Sequence, residues 1–204
     1  MGQIFAALVF LVVSSFPSSG VPAPDSASTG KEVLLVGDSV LAVLASNSEG
    51  LKLLGRKHPF IFNAVGCQRL ISFGCTKSSK SSSLKLLKAN RGMYSKVVVV
   101  ASGYNDFNDS SFSRAVTAIC DEAVRQGVVV LWLTYREEGN VKTKSISYNL
   151  QLHYFSRSIS NLRLLDWNKI SKGRDSWFAA DKIHMQGTGA LEMAKAISFA
   201  IDEL

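Results

Sequence analysis

Beyond residue 30 the sequence alternates short, almost unbroken apolar runs with longer stretches in which apolar residues recur every three or four positions. Five runs predict strands: 32–36 (EVLLV), 60–64 (FIFNA), 97–101 (VVVVA), 128–133 (VVVLWL) and 162–166 (LRLLD). Near-continuous apolar character suits strands covered on both faces, because a strand with one wet face would alternate apolar and polar residues. Helical spacing runs through 40–46, 112–126, 145–158 and 187–204, the last with a stripe of Leu191, Ala194, Ile197, Ser198 and Ile201. Strand and helix in alternation predict an α/β fold, a three-layer α/β/α sandwich around a five-stranded, mostly parallel sheet. In such a sheet ligands sit beyond the carboxyl ends of the strands, so polar residues there carry the most information.

The first 30 residues follow a different pattern. Residues 4–13 (IFAALVFLVV) form a ten-residue apolar run, and small, turn-prone residues fill 14–30. That length matches the core of a signal peptide and is too short to span a bilayer, although no Lys or Arg precedes the run. A buried strand or helix would leave 14–30 without a structural role. The expectation is therefore a signal peptide and short linker over 1–30, one domain over 31–204, and a secreted or cell-envelope location. No later segment is long and apolar enough for an integral span, and a monomer is expected.

Charge bears on encounter. All 23 Lys and Arg lie beyond residue 30, against 15 of the 16 acids, which draws the protein to anionic polymers and surfaces. Nucleic acid is not the expected partner, because zinc-finger spacing, an aromatic RNA-binding strand and a basic heptad pattern are all missing. Residues 77–91 (KSSKSSSLKLLKANR) are the densest basic stretch and read as a solvated loop leading into a short helix. Of three cysteines, Cys67 and Cys75 could close a small loop in an oxidising compartment, while Cys120 sits in an apolar run as a buried thiol. No Cys-x-x-Cys or His-x-x-x-His spacing points to a metal, and no cofactor is expected.

Four polar signals fall at strand ends. Ser39, in Gly37-Asp38-Ser39, follows the first strand and exposes a hydroxyl at a strand-to-helix turn; alone it reads more readily as a helix cap than as a catalytic group. Gly66, in NAVGC, follows the second strand, where a backbone N–H could approach a ligand. Asn105 follows the third strand in SGYND and offers a side-chain amide donor, while Asp106, Asn108 and Asp109 read as turn residues. Asp181 and His184, in DKIH, precede the last helix at a spacing that lets the carboxylate fold back on the imidazole and select its tautomer. A serine hydroxyl needs such a base to act as a nucleophile near neutral pH. His58 and His153 look structural.

In the order Ser, Gly, Asn, His, the chain resembles the SGNH (GDSL-type) hydrolase family over 32–203. Asp166-Trp167, Trp177-Phe178 and the glycines at 187 and 189 are similar to the bacterial subgroup that modifies cell-wall glycans, including the C-terminal domain of peptidoglycan O-acetyltransferases. The resemblance implies a flavodoxin-like sheet, a triad of Ser39, Asp181 and His184, and an oxyanion hole from Ser39, Gly66 and Asn105. It also implies ester chemistry through an acyl-serine, on short acyl groups of carbohydrate or cell-wall substrates. Two departures stand out: Val40 replaces the leucine of GDSL, and Lys182 occupies a position where glycine is common. Two other readings use the same fold, a lipolytic esterase or lysophospholipase and a catalytically silent glycan-binding module. The first would need a hydrophobic lid that the sequence lacks, and the second usually loses the Ser, His or Asn retained here.

Overall fold

The computed structural model describes residues 30–204. The expected signal peptide lies outside the described residues. Among them no helix is long and apolar enough to cross a membrane. In chain order the elements are β1 (Val33–Gly37), α1 (Ser39–Ala42) running into a 3₁₀ turn (Val43–Ser46), α2 (Ser48–Lys57), β2 (Phe60–Ala64), α3 (Ser83–Ala89) and β3 (Val97–Ala101). There follow α4 (Asp109–Gln126), β4 (Val129–Leu133), α5 (Lys142–Ser158), β5 (Leu162–Leu165), α6 (Trp167–Ser171) and α7 (Gly187–Asp202).

The sheet order is β2-β1-β3-β4-β5 and every pairing is parallel, so the sheet expected to be mostly parallel is wholly so. Strand alternation divides the core into two layers. Val33 and Leu35 of β1, with Val97 and Val99 of β3, face a cluster closed by Leu41, Leu54, Met193 and Ile197 from α1, α2 and α7. Leu34, Val36, Val98 and Val100 face the opposite cluster, closed by Leu87, Phe112, Ile119, Tyr148 and Leu152 from α3, α4 and α5. Since β1 and β3 are buried on both sides, the period-two pattern of a half-exposed strand is erased and the sequence reads as an unbroken apolar run.

The expected helix at 40–46 is split, with one α-turn giving way to the 3₁₀ turn. The amphipathic α2 and the single-turn α6 were not expected, since few apolar residues mark either one. Local chemistry sets the other ends. Asn108 caps α4 by accepting from the Ser111 N–H while the Ser111 hydroxyl stands within 3.3 Å of the Asn108 N–H, and Gly127 closes the helix in the left-handed conformation.

Candidate active site

Because the sheet is parallel, the segments after β1, β2 and β3 emerge at one edge, and the loop before α7 returns there. Ser39 opens α1 directly after β1. Its Oγ lies 2.8 Å from His184 Nε2, and His184 Nδ1 lies 2.6 Å from Asp181 Oδ2. A carboxylate only accepts, so Nδ1 carries the proton and Nε2 is left to accept from the Ser39 hydroxyl. The structure thus brings Ser39, His184 and Asp181 into one hydrogen-bonded chain across 145 residues of sequence.

The loop carrying His184 and Asp181 shapes itself. Asp181 Oδ1 accepts from the backbone N–H of both Ile183 and His184 at 2.9 Å, a tight turn built by the side chain that also orients the imidazole. Partial burial pushes the Asp181 carboxyl up, but the imidazole and those two N–H donors outweigh it and hold the group at about 2. Lys182 lies in the left-handed region at φ 65°, which accounts for the suitability of glycine at this position. Its ammonium donates to Asp175 Oδ2 at 2.8 Å, so the cation two residues before His184 is tied to Asp175.

Below the loop, Phe178 and Met185 form an antiparallel bridge, Ala179 N–H donates to His184 O and Gln186 N–H donates to Trp177 O, both at 2.8 Å. Arg136 lies beneath this bridge, just beyond β4, with its guanidinium 3.9 Å over the Phe178 ring. The side chain is buried and donates to Ser171 O at 2.5 Å and to Asp175 Oδ1 at 2.6 Å. Arg136 therefore holds Asp175, which in turn holds Lys182 within the Asp181–His184 turn. Gly139 permits close approach here, since a Cβ on it would strike the Asp181 carbonyl.

On the opposite side Gly66 and Asn105 face the Ser39 turn. Among the described residues no protein acceptor is paired with the backbone N–H of Ser39 or Gly66. A Cβ on Gly66 would meet nothing within 4 Å, so protein packing does not require glycine there. The Asn105 amide reaches Gln68 O at 3.3 Å and Asp38 Oδ2 at 3.4 Å, both long hydrogen bonds. Asp38 is fully buried and also accepts from Val40 N–H at 3.0 Å and Gly103 N–H at 3.2 Å. Gly103 needs its φ of 142° and its bare Cα, because a Cβ would run into the Tyr135 ring.

Asp106 closes a turn, as read from sequence, its N–H donating to Gly103 O at 3.0 Å; its side chain is also buried and accepts from Leu70 N–H at 3.1 Å, while Arg69 Nε donates to Asn105 O at 2.8 Å. Burial pushes the carboxyls of both Asp38 and Asp106 up to about 6, against the pull of their N–H donors. Cys67, at φ 67°, is joined to Cys75 in a short loop directly after Gly66. Sequence reasoning missed the roles of Asp38, Gln68, Asp106 and Arg136. Only Arg136 left a trace, as a lone charge after the apolar strand VVLWL.

No family model and no curated protein matches the sequence. Solved structures do. The C-terminal catalytic domain of Streptococcus pneumoniae peptidoglycan O-acetyltransferase A, carrying a methylsulfonyl adduct, is 19% identical at a TM-score of 0.61, covering 85% of this chain and 94% of that one. A GDSL-like lipase from Bacteroides thetaiotaomicron gives 14% identity and a TM-score of 0.65, covering 85% and 89%. The fold is that of the SGNH hydrolases. A psychrotrophic esterase from Pseudoalteromonas sp., inhibited by monoethylphosphonate, shares this SGNH fold at 15% identity and a TM-score of 0.63, covering 85% and 97%. Among the described residues no group of three or more His, Cys, Asp or Glu side chains is arranged to hold a metal ion. The candidate site sets a serine hydroxyl, an imidazole and a carboxylate in one hydrogen-bonded chain.

Proposed function

We propose that the protein is a serine esterase or O-acyltransferase acting on short acyl esters, acetyl above all, of carbohydrate or cell-wall substrates. The observation that carries this reading is the continuous chain from Ser39 Oγ through His184 to Asp181, at 2.8 and 2.6 Å. In the first half-reaction His184 Nε2 takes the hydroxyl proton as Ser39 Oγ attacks the ester carbonyl, and the Asp181 carboxylate stabilises the imidazolium. The Ser39 and Gly66 backbone N–H groups receive the oxyanion, joined by the Asn105 amide once it exchanges one of its two long bonds. Each such donor contributes roughly 3 kcal/mol to the transition state. Collapse of the intermediate expels the alcohol, which takes its proton from His184, and leaves an acyl-serine. His184 then activates water or a sugar hydroxyl, and the acyl group leaves Ser39 by the same steps in reverse.

Export is part of the proposal, supported by the apolar run at 4–13 and by the Cys67–Cys75 disulfide, a bond that persists in oxidising compartments. The two relatives with sulfonyl and phosphonate groups suggest the test. Mass spectrometry after treatment with methylsulfonyl fluoride is expected to find one adduct, on Ser39, with Ser39→Ala neither labelled nor active on an activated acetyl ester. Full turnover by Ser39→Ala would discard the assignment. Running the same donor with and without a glycan acceptor reads, from the product, whether water or sugar receives the acyl group.

A further inference from the structure

Residues 66–91 contain six Lys and Arg and no acid, leaving 17 Lys and Arg against 16 acids for the rest of the chain, so nearly all of the net charge of +7 resides in this one segment. The segment is welded to the candidate site: Gln68 O accepts from the Asn105 amide, Arg69 Nε donates to Asn105 O, and Leu70 N–H donates to Asp106. Among the described residues Lys77, Lys80, Lys85 and Lys88 have no acidic partner. The neighbouring carboxylates do not neutralise them, since Asp106 is buried and Glu122 is engaged by Arg91 and Arg125.

Two grooves follow this segment. One is floored by Ile71, Phe73 and Leu84 and rimmed by Lys85 and Lys88; the other passes Val65 and Gln68, beside Gly66, and is rimmed by Ser78 and Lys80. Two rings are exposed here, Phe73 of the first groove at 70% and Phe107, two residues after Asn105, at 65%, with the Arg69 guanidinium 3.9 Å over the Phe107 ring. Large exposed aromatics next to unpaired cations mark a binding surface.

We infer that residues 66–91 dock an anionic carbohydrate polymer and present its ester to Ser39, an inference that rests on the proposed acyl chemistry. The lysines meet the polymer's carboxylate or phosphate groups, and the faces of Phe73 and Phe107 stack on the apolar faces of its sugar rings. The surface is concave, which admits a chain but gives a flat bilayer no broad apolar face to bury.

The test uses the full chain and three probes: polygalacturonate, neutral dextran, and vesicles of phosphatidylcholine with phosphatidylglycerol. Wild-type protein is expected to bind polygalacturonate with an affinity that falls steeply with salt, and to bind dextran weakly. Lys77→Glu, Lys80→Glu, Lys85→Glu and Lys88→Glu together are expected to cut that affinity by at least about tenfold while turnover of a small activated acetyl ester stays unchanged. Phe73→Ala is expected to weaken binding by a few-fold even at high salt. Equal binding to dextran, an unaffected quadruple variant, or a preference for the anionic vesicles would each overturn the inference. Polymer binding without turnover of any ester would overturn the acyl chemistry and leave the docking surface standing.

Discussion

Asp38 and His184 flank the same serine, yet Asp38 is fully buried and the His184 side chain is half exposed. On the Asp38 side, the buried carboxylates of Asp38 and Asp106 gather the backbone N–H groups of Val40, Leu70 and Gly103, so the segments after β1, β2 and β3 are tied into one block. On the His184 side, a short exposed turn is shaped by its own carboxylate and held from below by one buried arginine. Under the proposed acyl chemistry this contrast is a division of labour. Donors that must already point at a developing charge belong in rigid, dry surroundings, whereas a base that takes and returns a proton tolerates solvent.

The comparison breaks most readily at its exposed end. His184→Ala is expected to lower kcat/KM on an activated acetyl ester by about 10⁴-fold or more while leaving the urea unfolding midpoint nearly unchanged. A large fall in the midpoint would mean that the turn bears on stability as well as chemistry.

Asp38→Asn probes the buried end, and both readouts should move. Its amide would set a donor against the Gly103 or Val40 N–H, at a cost of about 1–3 kcal/mol in unfolding free energy together with a fall in kcat of about 10²-fold. The same block predicts a pH signature. Because burial raises Asp38 and Asp106 to about 6, the native protein holds protons between about pH 4 and 6 that the unfolded chain has released. Their contribution to stability is full below about pH 4 and lost as pH rises through 6, so the melting temperature should fall across that window, and fall less in Asp106→Asn. Asp181, held at about 2, acts with the opposite sign, contributing above its ordinary value and losing that contribution as pH drops toward 2.

Arg136→Met tests whether the exposed turn needs its buried support. Loss of the contacts to Ser171 and Asp175 is expected to cost about 2 kcal/mol of stability and to lower kcat several-fold with little change in KM, and Arg136→Lys should restore part of both. An unchanged kcat in a folded Met variant would show that the Asp181 turn is self-sufficient. The smallest effect is expected for Lys182→Gly. Relief of the left-handed backbone is worth about 1 kcal/mol, offset in part by an exposed ion pair worth less, so a slight rise in stability is the prediction, with a loss of turnover smaller than that of Arg136→Met, which also removes the contacts to Ser171 and Phe178.

Much of the fold was legible because it is written in local patterns. β2 and β3 begin and end where the apolar runs do, β1 is shifted by one residue at both ends, β4 starts one residue later, β5 ends one residue earlier, and of the final helix's expected stripe all but the partly exposed Leu191 are buried. α2 and α6 escaped because their helicity depends on packing against neighbours more than on a strong apolar period. Of the candidate site, Ser39, Gly66 and Asn105 were marked by type and order after the first three strands, and Asp181 and His184 by their spacing before the last helix. Asp106 stands in a turn as expected, but its burial was not legible, because a buried and an exposed turn carboxylate are written with the same letter.

By itself the sequence determined the alternation of strand and helix, the strand ends at which polar residues would gather, and the concentration of charge in 66–91. Each of these depends on residues within a few positions of one another. The tertiary structure alone decided that Asp38 would anchor Asn105, that Arg136 would support the Asp181 turn, and that Lys182 would join Asp175. Hydrogen-bond partners such as Asp38 and Asn105, 67 residues apart, or Ser39 and His184, 145 apart, meet only because the parallel sheet aligns its strand ends. Burial, which separates Asp38 from Asp181, is likewise a property of the packed molecule and has no counterpart in the local pattern.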